Sequence, residues 1–201
     1  MSSSRPWLIG ITGGIGAGKS IVSKVFETLG IPKYDADTRA KWLMNNNQKL
    51  VDSIRKLFGN NAYQNGELDR KFIASKAFED KTLLEQLNQL VHPAVSKDFT
   101  EWANQHHTPY LLKEAALIFE TGSYKDLDKI ITVTAAEPIR IQRVMKRDGR
   151  SEEQVKSIIR NQMPEEEKVE KSDFVVVNDG KQPVIQQVLS IHENLKSQIS
   201  G

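Results

Sequence analysis

The chain has 201 residues, among them 28 basic and 26 acidic side chains, and it contains no cysteine. This length suits one or two domains with a buried core, and the near balance of charge argues against a broad basic surface for nucleic acid. The lack of cysteine excludes disulfide frameworks and thiolate metal sites.

The first residues, 1–6, lack the apolar centre of a secretory signal. Further along, no apolar run approaches the ~18 residues that a membrane span needs. We therefore expect a cytoplasmic protein with neither a membrane nor a nucleic acid as partner, present as a monomer or a small homo-oligomer.

A glycine-rich loop follows the first strand-like run. Residues 7–11 are short and apolar, as in a buried strand, and apolar residues recur at helical spacing from Ile21 to Leu29. Between them the chain reads Gly13-Gly14-Ile15-Gly16-Ala17-Gly18-Lys19-Ser20, the phosphate-loop pattern of glycine, four free positions, glycine, lysine and serine. The sequence predicts strand, phosphate loop and helix, and with them a nucleotide-binding protein.

Each residue type in this loop has a chemical task. Glycines let backbone N–H groups approach phosphate oxygens, and the N-terminus of the following helix adds a positive dipole. We expect Lys19 to reach the β- and γ-phosphates, Ser20 to hold Mg²⁺, and the N–H of Ile21 to face the α-phosphate. The alternative, a glycine-rich turn without a ligand, is disfavoured by the flanking strand and helix.

A second short strand is expected at residues 31–34, with Asp35 and Asp37 at its carboxyl end. Ligands bind at that end of the strands in open α/β sheets. The two carboxylates could serve as a base for a hydroxyl nucleophile and as an outer ligand of Mg²⁺. The alternative is structural, because Asp37 could cap a helix that begins near Thr38.

Residues 38–107 have helical character. Val51, Ile54 and Leu57 fall on one helical face, and a second apolar face follows later. No strand pattern is recognised in this range, and His92-Pro93 interrupts a helical stretch. We expect a helical insert on the acceptor side of a nucleotide-binding core.

Three more strand-like runs follow, at residues 110–113, 129–134 and 174–177. Together with the first two they predict an α/β fold, a P-loop kinase with a five-stranded parallel sheet flanked by helices. Glu114 ends the third of the five runs, where it could help hold the water shell of Mg²⁺ or merely cap the next turn.

A basic helical hairpin, residues 138–163, lies between the fourth and the fifth strand. Arg140, Arg143 and Arg147 are spaced to share one helical face, and Ser151 starts a capping box for a second helix. Arginines on one face suit a triphosphate whose charge is neutralised during transfer, whereas a solvated surface is the plain alternative. With a phosphate loop in the same chain, we expect a lid that places Arg140 and Arg143 on the phosphates.

Several motifs together resemble the dephospho-CoA kinase family. They are residues 12–20, Asp35-Ala36-Asp37, His92-Pro93, Leu117-Ile118-Phe119-Glu120, the arginines of the hairpin with Asp148, Gln162, and residues 173–178. The resemblance implies a kinase with a core (1–37, 108–137 and 164–201), a helical CoA-binding domain (38–107) and a lid (138–163). Its reaction would transfer the γ-phosphate of ATP to the ribose 3′-hydroxyl of dephospho-CoA.

The resemblance also implies roles for single residues. Asp37 matches the acidic residue that deprotonates the hydroxyl, and Asp35 is its neighbour near the metal. His92 falls in the acceptor-binding region, and Asn178 lies where the late strand approaches the adenine. Catalysis would rest on Asp37, together with Lys19 and Arg140 as groups that neutralise charge.

Other functions could use the same core. A different small-molecule kinase would share the loop and the lid and differ in the helical insert. A regulatory GTPase is disfavoured because the sequence has no Asn-Lys-x-Asp motif. A nucleic-acid-stimulated ATPase is disfavoured by the small size and the near-zero net charge.

Overall fold

The computed structural model of the protein describes residues 5–200, apart from the side chains of residues 78 and 81. The chain divides into two compact units. One comprises the residues up to Asp35 together with those from His106 onward, and the other is Ala36–Gln105. Residues 1–4, part of the stretch expected to carry no secretory signal, lie outside the described residues. No helix in the described range is both long and apolar enough to cross a membrane.

Strands and helices alternate along most of the first unit, and helices dominate the second. The described strands are β1 (Trp7–Thr12), β2 (Lys33–Asp35), β3 (Tyr63–Gln64), β4 (Glu67–Leu68), β5 (Tyr110–Glu114), β6 (Lys129–Thr134) and β7 (Phe174–Val177). The described α-helices are α1 (Lys19–Thr28), α2 (Ala36–Asn46), α3 (Gln48–Phe58), α4 (Arg70–Glu79), α5 (Lys81–Ala103), α6 (Glu137–Asp148), α7 (Glu152–Arg160), α8 (Glu165–Glu170) and α9 (Val184–Ser200).

The first unit contains a five-stranded sheet in the order β2-β5-β1-β6-β7. All four neighbouring pairs are parallel, which confirms the predicted α/β class. β1 is the central strand, and its Ile9 lies opposite Leu112 of β5 and Lys129 of β6. Parallel strands place their carboxyl ends at one edge of the sheet, so the loop after β1 opens in the middle of that edge.

The core of this unit joins the sheet to α1 and α9. Ile9 and Ile11 of the central strand are fully buried, and Phe26 of α1 and Leu195 of α9 belong to the same apolar cluster. Parallel strands need such continuous apolar sequences because both of their faces are covered. The cluster holds β1 and α1 at fixed positions, and it thereby anchors both ends of the glycine-rich loop.

The second unit has its own apolar core. All four helices contribute to it through Leu43 of α2, Leu50, Val51 and Ile54 of α3, Ile73 of α4, and Leu87 and Val91 of α5. The helical nature of this range agrees with the periodicity of its apolar residues.

Two expectations for this unit are wrong. β3 and β4 form a short antiparallel hairpin around Asn65 and Gly66, where no strand was expected. Strands of two residues are too short to display an alternating pattern of apolar residues. The local signal that indicates this hairpin is the Asn-Gly turn. In addition, α5 continues through Pro93, which therefore does not interrupt the helix. Proline removes one backbone hydrogen bond, and the packing of Val91 and Val95 in the core of this unit offsets that loss.

Candidate active site

The glycine-rich loop leads from the central strand into α1, which begins at Lys19. Gly16 and Gly18 have φ values of 80° and 98°. A Cβ atom at Gly16 would strike the backbone carbonyl of Arg140, and one at Gly18 would strike the side-chain amide of Asn178. Glycine is required at both positions because of the backbone conformation and because other groups approach so closely. The structural context is the strand, loop and helix that a phosphate loop needs.

Side-chain donors bind the carbonyl oxygens of this loop. Lys19 Nζ donates a hydrogen bond to the Gly13 carbonyl at 3.0 Å. Asn178 Nδ2 donates to the Ala17 carbonyl at 2.8 Å, and Arg143 Nη1 lies 3.5 Å from the same oxygen. Donors on the carbonyl groups offset their partial negative charge, and this favours an anion beside the loop.

Arg140, in the first turns of α6, also lies on the loop. Its guanidinium Nη1 is 3.2 Å from Glu165 Oε2. A Cβ atom at Gly14 would strike Arg140 Nη1 and lie 2.7 Å from Glu165 Oε2, so both charged groups lie on this glycine. Next to them, Gln162 Oε1 accepts a hydrogen bond from the Ile15 N–H at 2.9 Å. The sequence had suggested no role for Glu165, although an acidic residue that follows an arginine-rich hairpin is a natural partner for it.

A cavity of about 410 Å³ adjoins these groups. It lies past the carboxyl end of β6, and its lining includes Thr134, Arg140, Arg160, Gln162 and Glu165. The volume suits a small ligand or part of a larger one. Its wall holds two arginines, which suit anionic groups such as phosphates, beside the carboxylates of Glu137, Glu165 and Glu166.

An ion pair between a buried lysine and a partly exposed glutamate holds the segment that carries Gln162 and Glu165. Lys168 of α8 is fully buried, and its Nζ lies 2.9 Å from Glu120 Oε1, which also accepts the Met163 N–H at 2.8 Å. Burial works against ionisation of Glu120, but the hydrogen bonds from Lys168 and Met163 outweigh it and hold the pKa of this carboxyl below its usual range. The pair fixes the turn between α7 and α8 close to the phosphate-loop region.

Carboxylates end two neighbouring strands, and Asp35 of β2 lies opposite Glu114 of β5. Glu114 is buried, its Oε2 accepts a hydrogen bond from Ser23 Oγ at 2.8 Å, and Lys33 Nζ lies 3.5 Å away. Ser20 is exposed in the first turn of α1. Hydroxyl and carboxylate oxygens are ligands that Mg²⁺ prefers. Within residues 5–200 no group of three or more histidine or acidic side chains is arranged to hold a metal.

The predicted lid residues include α6 and α7. Ser151 forms the predicted capping box at the start of α7. An apolar cluster joins the two helices through Ile141, Val144 and Val155, and Ile15 of the loop packs against it. Arg147 lies on the same helix seven residues after Arg140, and its side chain turns toward the adjacent Asp148. It binds the adjacent Asp148 through two hydrogen bonds of 2.7 and 2.9 Å, and 62% of its side chain is exposed.

Asp37 and His92 belong to the second unit. Asp37 lies in the first turn of α2, which begins at Ala36 rather than near Thr38. It is therefore not an N-cap, since a capping residue precedes the helix, although an acidic side chain in a first turn still interacts favourably with the helix dipole. His92 is exposed on α5.

Comparison with known proteins gives consistent matches. The family model described as dephospho-CoA kinase matches residues 7–183. A dephospho-CoA kinase of Porphyromonas gingivalis is 39% identical over 190 residues, which cover 94% of this chain and 94% of that protein. The solved structure of the Thermus thermophilus protein TT1252 has a TM-score of 0.86 at 34% identity and covers 95% of this chain and 98% of its own. A dephospho-CoA kinase from Campylobacter jejuni shares the fold, with a TM-score of 0.69 at 24% identity over 95% of this chain and 98% of its own.

Proposed function

The chain belongs to the dephospho-CoA kinase family, and we propose that it transfers the γ-phosphate of ATP to the ribose 3′-hydroxyl of dephospho-CoA to give CoA. As a member of this family it is an ATP-dependent phosphotransferase. The observation that supports the reaction type best is the convergence of Lys19 and Arg140 on one glycine-rich loop after the central strand.

The phosphate side of the reaction requires charge neutralisation more than covalent chemistry. Lys19 would release its hydrogen bond to the Gly13 carbonyl and bind oxygens of the β- and γ-phosphates. The N–H groups from Gly13 to Ile21 would bind the remaining phosphate oxygens. Arg140 would bind the transferred phosphoryl group from the side of α6. Mg²⁺ bound with the nucleotide would supply further positive charge, held by Ser20 and, through water, by Asp35 and Glu114.

Two further residues would shape the nucleotide site without reaching the transferred group. Asn178 and Arg143 bind carbonyl oxygens of the loop, and we assign them the role of holding the loop in its anion-binding form. Asn178 follows β7 directly, which suits the position beside the adenine that the family resemblance implies.

On the acceptor side, Asp37 would orient the ribose 3′-hydroxyl and accept its proton. The support is its place two residues after the carboxyl end of β2, at the edge of the sheet where ligands bind in α/β folds. Asp35 and His92 would contribute to acceptor binding. In this proposal residues 38–107 bind dephospho-CoA, and residues 138–163 close as a lid that excludes water from ATP.

We expect the enzyme to act in the cytoplasm as a monomer or a small homo-oligomer, with ATP and dephospho-CoA as its partners and neither nucleic acid nor membrane among them.

A coupled ATP-consumption assay tests the function directly. Dephospho-CoA is offered beside AMP, CMP, shikimate and pantothenate, and the product is identified by mass. Turnover with dephospho-CoA alone, yielding CoA, is the expected result. If another acceptor is preferred, the chain is a kinase of a different substrate, and the acceptor roles of Asp37 and His92 are wrong.

A further inference from the structure

Arg140 contacts a carboxylate that the proposed mechanism does not use. The side chain of Arg140 is 6% exposed and that of Glu165 is 12% exposed. Burying two opposite charges to this degree costs desolvation free energy, which their attraction offsets only with good geometry and further hydrogen bonds. Glu165 therefore needs an explanation beyond simple charge balance.

The geometry of the pair is incomplete. The two groups meet through Glu165 Oε2, without the two parallel bonds that a guanidinium and a carboxylate can form. Across the described part of the chain, Arg140 Nε and Glu165 Oε1 are the buried side-chain atoms that lack a hydrogen-bond partner. Arg140 thus retains binding capacity for an anion with more oxygens to offer.

Glu165 also lies against the loop itself, and so does Gln162. Its Oε2 would be 2.7 Å from a Cβ atom at Gly14, and Gln162 Oε1 accepts the N–H of Ile15. Oxygens from one short segment, residues 162–165, are therefore beside two successive residues of the loop. In a phosphate loop such positions belong to phosphate oxygens.

We propose that Glu165 competes with the triphosphate for Arg140, while Gln162 competes for the N–H of Ile15. A carboxylate and a phosphate are both anionic acceptors for a guanidinium, and a bound phosphate beside Glu165 brings like charges together. Nucleotide binding then requires Glu165 to give up Arg140, and the apparent affinity for ATP is lower than the loop alone would provide. This inference rests on the proposed function, because it takes the loop as the triphosphate site.

Calorimetric titration of the full chain with inorganic tripolyphosphate, and separately with ATP, tests the competition. Glu165→Gln removes the negative charge and keeps the shape, so we expect both ligands to bind about fivefold more tightly or better. Glu170→Gln is the matched control, because it makes the same change of net charge at an exposed residue of α8 that does not line the cavity. The control is expected to change the affinity less than about twofold, as screened surface charges do.

The same substitution made in an Arg140→Ala protein shows whether the gain in affinity depends on Arg140. In Arg140→Ala, the further change Glu165→Gln should raise the affinity for tripolyphosphate less than it does in the unaltered chain, because the contested group is gone and only the repulsion between like charges remains. Thermal unfolding of each variant verifies the fold, and Glu165→Ala replaces Glu165→Gln if the latter is unstable.

The possible results separate the two proposals. Equal affinities for Glu165→Gln and Glu170→Gln overturn the competition while leaving the kinase assignment intact. Weaker binding by Glu165→Gln also overturns it, and means instead that Glu165 orients Arg140 toward the phosphate. If the unaltered chain binds neither tripolyphosphate nor ATP, the proposed function itself is wrong.

Discussion

Replacing Lys19 by alanine separates the chemical role of the loop from its role in stability. Lys19 is half-buried, and its ammonium group makes a 3.0 Å hydrogen bond to the Gly13 carbonyl. Loss of that bond should lower the free energy of unfolding by only about 1 kcal/mol. Loss of a cation that stabilises the transferring phosphoryl group should lower kcat by about 10²- to 10³-fold. The fall in activity should therefore far exceed the fall in stability.

Lys24→Ala is the matched control on the same helix. Lys24 is 74% exposed, and its ion pair with Glu27 is long, at 3.8 Å, and contributes little. Turnover is measured with dephospho-CoA and saturating ATP, and stability by urea unfolding. If Lys19→Ala retains turnover within tenfold of the unaltered enzyme while it is as stable as Lys24→Ala, Lys19 does not act on the transferred phosphate and the phosphate-loop assignment fails.

Three other perturbations have defined outcomes. Asp37→Asn should lower kcat far more than it weakens ATP binding, since the lost group acts on the nucleophile; equal losses in both would indicate a metal or structural role. Lys168→Met should lower the free energy of unfolding by about 2 kcal/mol, because it removes a charged hydrogen-bond donor from the partly exposed Glu120 carboxylate, whereas Lys171→Met, at the exposed residue just after α8, should cost under about 1 kcal/mol; similar urea midpoints for the two would refute this reasoning. Burial lowers the pKa of His192, so the unfolded chain takes up a proton first as the pH falls through about 6.5, and stability is lost from there downward. His192→Gln should make Tm fall less steeply as the pH is lowered from 7 to 5. An unchanged slope of Tm against pH in this range would exclude a contribution from His192.

The elements of the fold were largely predictable because their signals are local. Each of the five sheet strands was expected from a short apolar run, and the capping box at Ser151 was expected from its spacing. The exceptions are features whose local signal is weak or misleading. The β3–β4 hairpin is too short for a pattern, and Pro93 is tolerated inside α5 because the helix is packed on both sides of it.

Parts of the candidate site were predictable for the same reason. The loop from Gly13 to Ser20 carries its chemistry in its spacing, and Arg140 and Arg143, which their spacing puts on one face of α6, both lie beside the loop. The same spacing does not show that the flexible side chain of Arg147 will bind its neighbour Asp148.

By itself, the sequence determined the phosphate loop, the α/β class and the family, because these depend on residue types at fixed short spacings. Only the tertiary structure decided which groups meet across the chain, since contact between distant residues depends on the order of the strands and the path of each connection. Gln162 binds the N–H of Ile15 from 147 residues away, and Glu165 reaches Arg140 over Gly14. Neither partnership follows from spacing, because both arise only after the sheet has brought the ends of β1 and β6 side by side.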